Sequence, residues 1–131
     1  MANRPIAPHL MDGARLHWKW GPHMAVSILH RITGQGLTFV GLPVLLWWLG
    51  ALASGSEAYE DFIGIAGSPI GLFVLAGLSW AFFTHLCSGL RHLVLDTGAN
   101  YELRSNKTGS WASMIGGLVL AAAFWAVIVL R

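Results

Sequence analysis

His85 stands inside an apolar run from Phe62 to Leu90 that holds no Asp, Glu, Lys or Arg. A charge near the centre of a membrane span costs about 3 kcal/mol on insertion scales, so ionisable residues at such places usually have a task. A neutral imidazole can ligate a metal through one ring nitrogen and hydrogen-bond through the other. His92 follows at the polar end of the same run, in His85-Leu-Cys-Ser-Gly89-Leu-Arg91-His92-Leu-Val-Leu-Asp96. A step of seven residues is roughly 700° of helical rotation and about 10 Å of rise. His85 and His92 therefore nearly share a face but stand too far apart to hold one metal ion. The spacing suits one large flat ligand, its metal held at depth and its acidic edge at the interface.

Haem b has that shape, and a neutral imidazole can ligate its iron. The propionates would then lie near His92, His30 and Arg31, where cations neutralise them. Gly89, one turn from His85, removes a side chain where a ring needs clearance. His30 and Arg31 belong to a second polar cluster, Ser27-Ile-Leu-His30-Arg31-Ile-Thr33-Gly34. Ser27 and Arg31 are four apart and share a helix face. Blander readings stand beside these. A lone membrane histidine can simply hydrogen-bond a neighbouring helix. Arginines at span ends snorkel and set topology, and Ser27 can serve as a helix cap. Spacing alone leaves these readings open. If haem is held, six-coordinate iron wants two axial ligands. His85 is the one deep histidine, since His9, His17, His23, His30 and His92 lie at or beyond the interface. The second ligand then comes from another chain.

The elements that must position these residues are membrane spans. Of 131 residues, 55% are hydrophobic and 11% charged, against about 25% charged in soluble domains. Seven Trp and sixteen Gly fit interfacial anchoring and close helix approach. The expected fold is all-α and integral to the membrane, one domain over residues 1–131. An N-terminal segment, 1–23, precedes spans at about 24–53, 62–95 and 111–130. About 20 apolar residues cross the hydrocarbon, so the first two spans tilt or protrude. Pro43 is expected to kink the first span. Three spans cannot close a β-barrel, which leaves an antiparallel up-down helical bundle.

The net charge of +2 is too small to imply nucleic acid. Cys87 is the only cysteine, which excludes an intrachain disulfide, and it reads as a small residue on a helix face. No cleavable signal peptide is expected, because Pro5, Pro8, Asp12 and Lys19 interrupt the first twenty residues. The segment Met1 to Pro22, with His17, Trp18 and Trp20, reads as a headgroup-level surface or as a docking surface for a soluble partner. Arg4, Arg15, Lys19 and Arg31 lie before or at the start of the first span. Arg91, Arg104 and Lys107 follow the second, and Glu57, Glu60 and Asp61 occupy the loop from Ser54 to Asp61 between. The positive-inside rule places the N-terminus in the cytoplasm and the C-terminus outside, or the basic side in the matrix of an organelle.

Both clusters resemble the signatures of the cytochrome b membrane-anchor subunit of succinate dehydrogenase, respiratory complex II. The first is an Arg4-Pro5 start followed by Ser27-Ile-Leu-His30-Arg31-Ile-Thr33-Gly34. The second is His85-x-x-x-Gly89-Leu90-Arg91-His92-Leu93-x-x-Asp96-x-Gly98. The resemblance covers essentially the whole chain. It implies succinate oxidation on a flavoprotein subunit that carries FAD. Electrons then pass through an iron–sulfur subunit and its clusters to ubiquinone. It implies a bundle completed by a second small anchor subunit, with one haem b shared between the two. His85 matches the axial ligand, Ser27 and Arg31 the quinone site, and Arg31, His30 and His92 the surroundings of the propionates. The implied setting is the bacterial inner membrane, C-terminus periplasmic, with the mitochondrial inner membrane as the other, and no activity is expected of the chain alone. The rival readings are a fumarate reductase anchor and a small cofactor-free transport or structural membrane protein. The chain departs from the family pattern twice. The segment before Ser27 is longer, with Asp12-Gly13-Ala14-Arg15 as the extra piece. Leu95 stands where the family has an aromatic residue or Met.

Overall fold

A computed structural model describes the backbone of Met11–Asp12 and Arg15–Leu16, and residues 21–131 throughout. β1 (Met11–Asp12) and β2 (Arg15–Leu16) pair antiparallel, Met11 opposite Leu16 and Asp12 opposite Arg15. This pairing falls within the segment expected to be longer than the family pattern. Arg4-Pro5 and the group His17, Trp18 and Trp20 lie outside the described residues.

α1 (Pro22–Gly36) starts on a proline, where a missing N–H is harmless. The path continues through a π-helical turn, Leu37–Gly41, into α2 (Leu42–Ser54). Pro43 cannot donate to the carbonyl of Phe39, and its ring crowds that carbonyl. The wide turn lies directly before it, so the local irregularity expected at Pro43 takes the form of a π-bulge.

Gly55, at φ 110°, ends α2 in a conformation that residues with a Cβ avoid. α3 (Ser56–Ala66) follows, so most of the stretch read as a loop is helical. α3 exposes Glu57, Glu60 and Asp61 and buries Phe62. The Phe62 ring meets Trp47 edge-on, with centroids 4.8 Å apart. α4 (Pro69–Asp96) begins only after a break at Gly67-Ser68. The span expected from Phe62 is thus divided. Pro69 keeps Ser68 extended, and the Ser68 hydroxyl caps the new helix by accepting from Gly71 N at 3.1 Å. Hydropathy rates both sides of the break as apolar and cannot register it. α5 (Leu103–Val129) begins before the Trp111 expected of the third span. Its polar first turns carry Arg104, Asn106 and Lys107, which continue the helix but not the apolar span.

Among the described residues, three helical segments are long and apolar enough to cross a membrane: 33 residues over Pro22–Ser54, 28 over Pro69–Asp96 and 27 over Leu103–Val129. They bury little in each other, at 6%, 11% and 17% of their most apolar windows. Phe39, Ile70 and Phe73 are among the large side chains left outward, as suits surfaces that face lipid or other chains.

The helices alternate in direction. His30 meets Ser88, Gly34 meets His85 and Gly41 meets Leu78, an opposed register of α1 and its continuation against α4. Thr84 meets Gly117 and Arg91 meets Asn106, an opposed register of α4 against α5. Among the described residues, the α4–α5 seam is the most extensive. The buried residues of both helices are small, Ala81, Thr84 and Ser88 on α4 and Ser110, Ser113, Gly117 and Ala121 on α5, and Thr84 meets Gly117 across the seam. Small residues let backbones approach where no water drives association. A Cβ on Gly117 would lie 2.7 Å from Thr84 Cα, which is backbone and cannot yield. Gly117→Ala is expected to force the helices apart at a cost of about 1–3 kcal/mol. Resistance of the purified protein to denaturing detergent would report it, and unchanged resistance would rule this close seam out.

Candidate functional site

Three imidazoles meet where α1 faces the far half of α4. His30 and His85 stack, with centroids 3.9 Å apart and planes 11° from parallel. His92 meets His30 edge-on at 5.1 Å. Two hydroxyls buried between the helices, Thr33 at 2% and Ser88 at 0% exposure, hold the stack.

Their hydrogen bonds settle the ring protons. Thr33 Oγ1 donates to its own helix, within 2.7 Å of Leu29 O and 3.1 Å of His30 O. With its proton so committed, it faces His85 Nδ1 at 3.3 Å as an acceptor. His85 Nδ1 also lies 3.1 Å from the His30 carbonyl, which can only accept. Nδ1 must therefore carry the proton, and Nε2 keeps a lone pair. Ser88 mirrors this from α4. Its hydroxyl donates to Thr84 O at 2.8 Å or His85 O at 3.1 Å and accepts from His30 Nδ1 at 2.7 Å. Each helix thus orients one imidazole of the other.

Among the described residues, nothing hydrogen-bonds His85 Nε2. This fits the requirement of a haem iron for a neutral imidazole with its second nitrogen anchored by an acceptor. A hollow of about 360 Å³ opens beside the ring, lined by His30, Arg31, Gly34, Gln35, Thr38, Phe39 and His85. A cationic guanidinium and an imidazole at one rim suit an acidic edge. No group of three or more His, Cys, Asp or Glu is arranged to hold a bare metal ion among the described residues. The donor set therefore fits a ligand that brings its own metal.

A close approach of bare backbone to the His85 ring is found at Gly34. A Cβ on Gly89 would rest 3.8 Å from His30 Cε1, an ordinary contact, whereas one on Gly34 would lie 2.8 Å from His85 Cε1. Gly34→Ala is expected to displace the His85 ring from its two acceptors, an overpacking of about 1–3 kcal/mol. Thermal stability should fall below that of the wild type, and equal stability would contradict the expectation.

Of the residues singled out by sequence, His30, His85 and His92 are brought together, with Arg31 exposed at the hollow. Ser27 is half-buried one turn before Arg31 and is not among the residues lining the hollow. Its hydroxyl makes no hydrogen bond among the described residues. Arg91 turns away from the imidazoles and donates through Nη2 to Asn106 Oδ1 on α5. The cluster read as one unit in sequence is thus split between two interfaces. Cys87 packs against Gly116, as a small helix-face residue would. Thr33 and Ser88 lay inside the motifs and were not singled out. Their only sequence signal is a hydroxyl one helical turn, three or four residues, from a histidine.

The family whose pattern matches residues 1–130 is described as succinate dehydrogenase/fumarate reductase transmembrane subunit. The succinate dehydrogenase cytochrome b556 subunit of Paracoccus denitrificans is 38% identical over 120 residues, covering 91% of this chain and 87% of that one. The subunit of the same name from Rickettsia felis is 31% identical over 122 residues, covering 93% and 90%. The cytochrome b560 subunit of Reclinomonas americana is 33% identical over 130 residues, covering 93% and 80%.

Proposed function

Because this chain belongs to the succinate dehydrogenase/fumarate reductase transmembrane subunit family, we propose that it is the haem-binding membrane anchor of a succinate:ubiquinone oxidoreductase. The observation that carries the reading is the His85 imidazole, anchored through Nδ1 and open at Nε2 within a membrane helix. Similarity to subunits named cytochrome b supports haem b as the group held.

His85 Nε2 would ligate the iron, while His30, Arg31 and His92 would face the propionates. Bound there, haem b supplies a one-electron redox centre. The second axial ligand would come from another small anchor subunit, so the chain is not expected to act alone. Ser27 and Arg31 would bind the ubiquinone head. Electrons delivered from the iron–sulfur subunit leave negative charge on the quinone oxygens before protons arrive. A permanent guanidinium charge stabilises that charge, and the Ser27 hydroxyl can donate to it.

The bundle sets these groups at one end. The start of α1, the end of α4 and the start of α5 share the side that carries Arg31, Arg91, Arg104 and Lys107. The acidic α3 marks the other. The positive-inside rule makes the site's side cytoplasmic in a bacterial inner membrane, facing the flavoprotein and iron–sulfur subunits.

Host membranes lacking this chain should lose succinate-driven ubiquinone reduction and regain it when the chain is restored. Undiminished quinone reduction without it would refute the proposal.

A further inference from the structure

We infer that Thr33 is the positioning residue that fixes which nitrogen of His85 faces the ligand and how basic that nitrogen is. This rests on His85 being the haem ligand. Thr33 is 2% exposed on α1, and its hydroxyl has no freedom left. The proton is held by the carbonyls of Leu29 and His30 at 2.7 and 3.1 Å. The remaining lone pair is directed across the helix interface to His85 Nδ1 at 3.3 Å. The His30 carbonyl, 3.1 Å from the same nitrogen, is the second acceptor. Two acceptors from α1 thus share one N–H of α4.

The arrangement has two consequences. The ring cannot flip, because a flipped ring would place a carbon against both acceptors and leave a buried N–H unpaired. The shared N–H is also polarised, which raises the basicity of Nε2 and favours the more highly charged ferric iron. Removing one of the two acceptors should therefore raise the midpoint potential of the haem.

The test uses Thr33→Val, which keeps the branched shape and loses the hydroxyl, and Thr33→Ser, which keeps the hydroxyl and loses the methyl. Both are made in the complete complex. The readouts are the haem midpoint potential and the low-spin ferric resonance. The net value of one shared hydrogen bond corresponds to roughly a threefold change in the ferrous-to-ferric ratio. At 59 mV per tenfold for one electron, that is about 30 mV upward. A raised potential with shifted resonance in Thr33→Val, and wild-type values in Thr33→Ser, supports the assignment. Loss of haem in Thr33→Val with retention in Thr33→Ser supports it equally. Wild-type values in Thr33→Val overturn it, and so do changes shared by both variants, which would trace to packing. Absence of b-type haem from the wild-type complex would instead overturn the underlying reading of His85.

Discussion

His85→Ala is expected to abolish the b-type absorption of the complex while succinate oxidation by a soluble dye persists. The reason is the ligand count. Among the described residues, His85 is the imidazole that lies within the apolar run, with Nδ1 anchored by two acceptors of α1 and no hydrogen bond at Nε2. His30 is already held by Ser88 and stacked beneath it, and His92 meets His30 edge-on. Neither reaches the place of His85 without breaking its own contacts. Alanine removes the ligand and leaves Thr33 Oγ1 and the His30 carbonyl without their shared donor. Reduced-minus-oxidised spectra of the purified complex measure the loss. Added imidazole should restore part of the absorption, since it fills the vacated volume with the same donor. Unchanged bands in His85→Ala would exclude it as the ligand.

The second large effect is expected at Arg31. Arg31→Leu keeps part of the apolar stem but removes, among the described residues, the one cation lining the hollow beside His30 and His85. Loss of an electrostatic group aimed at developing charge costs about 10²–10³ in rate. Succinate:ubiquinone activity should fall by roughly that factor, with dye-linked succinate oxidation retained. Ser27→Ala should fall in the same direction by less, because it removes a neutral donor. Equal loss of quinone-linked and dye-linked activity would show failed assembly rather than a damaged quinone site.

The fold was legible wherever it depended on hydropathy. Three spans, their opposed directions and the basic end follow from charge-free runs and from the placement of Arg and Lys. The helix ends did not follow, because a hydropathy run marks lipid contact rather than backbone hydrogen bonding. The break before Pro69 and the early start of α5 at Leu103 are set by a missing N–H and by polar helical turns. The candidate site was legible as residue types. Its internal arrangement was not. Sequence spacing placed His85 and His92 on nearly one face of α4, but the closest partner of both is His30, which comes from α1. Arg91, in the same motif as His85 and His92, engages Asn106 on α5, a partner that the motif does not contain. The close approach of Gly34 to the His85 ring depends on the relative rotation of two helices, which sequence spacing does not carry.

The central claim is that this chain holds half of a haem site. The most direct measurement is the haem b content of the purified wild-type complex, read from the reduced-minus-oxidised spectrum against protein quantity. The expected result is b-type bands at one haem for each copy of this chain paired with a second anchor subunit. A complex active with succinate but devoid of b-type bands would contradict it.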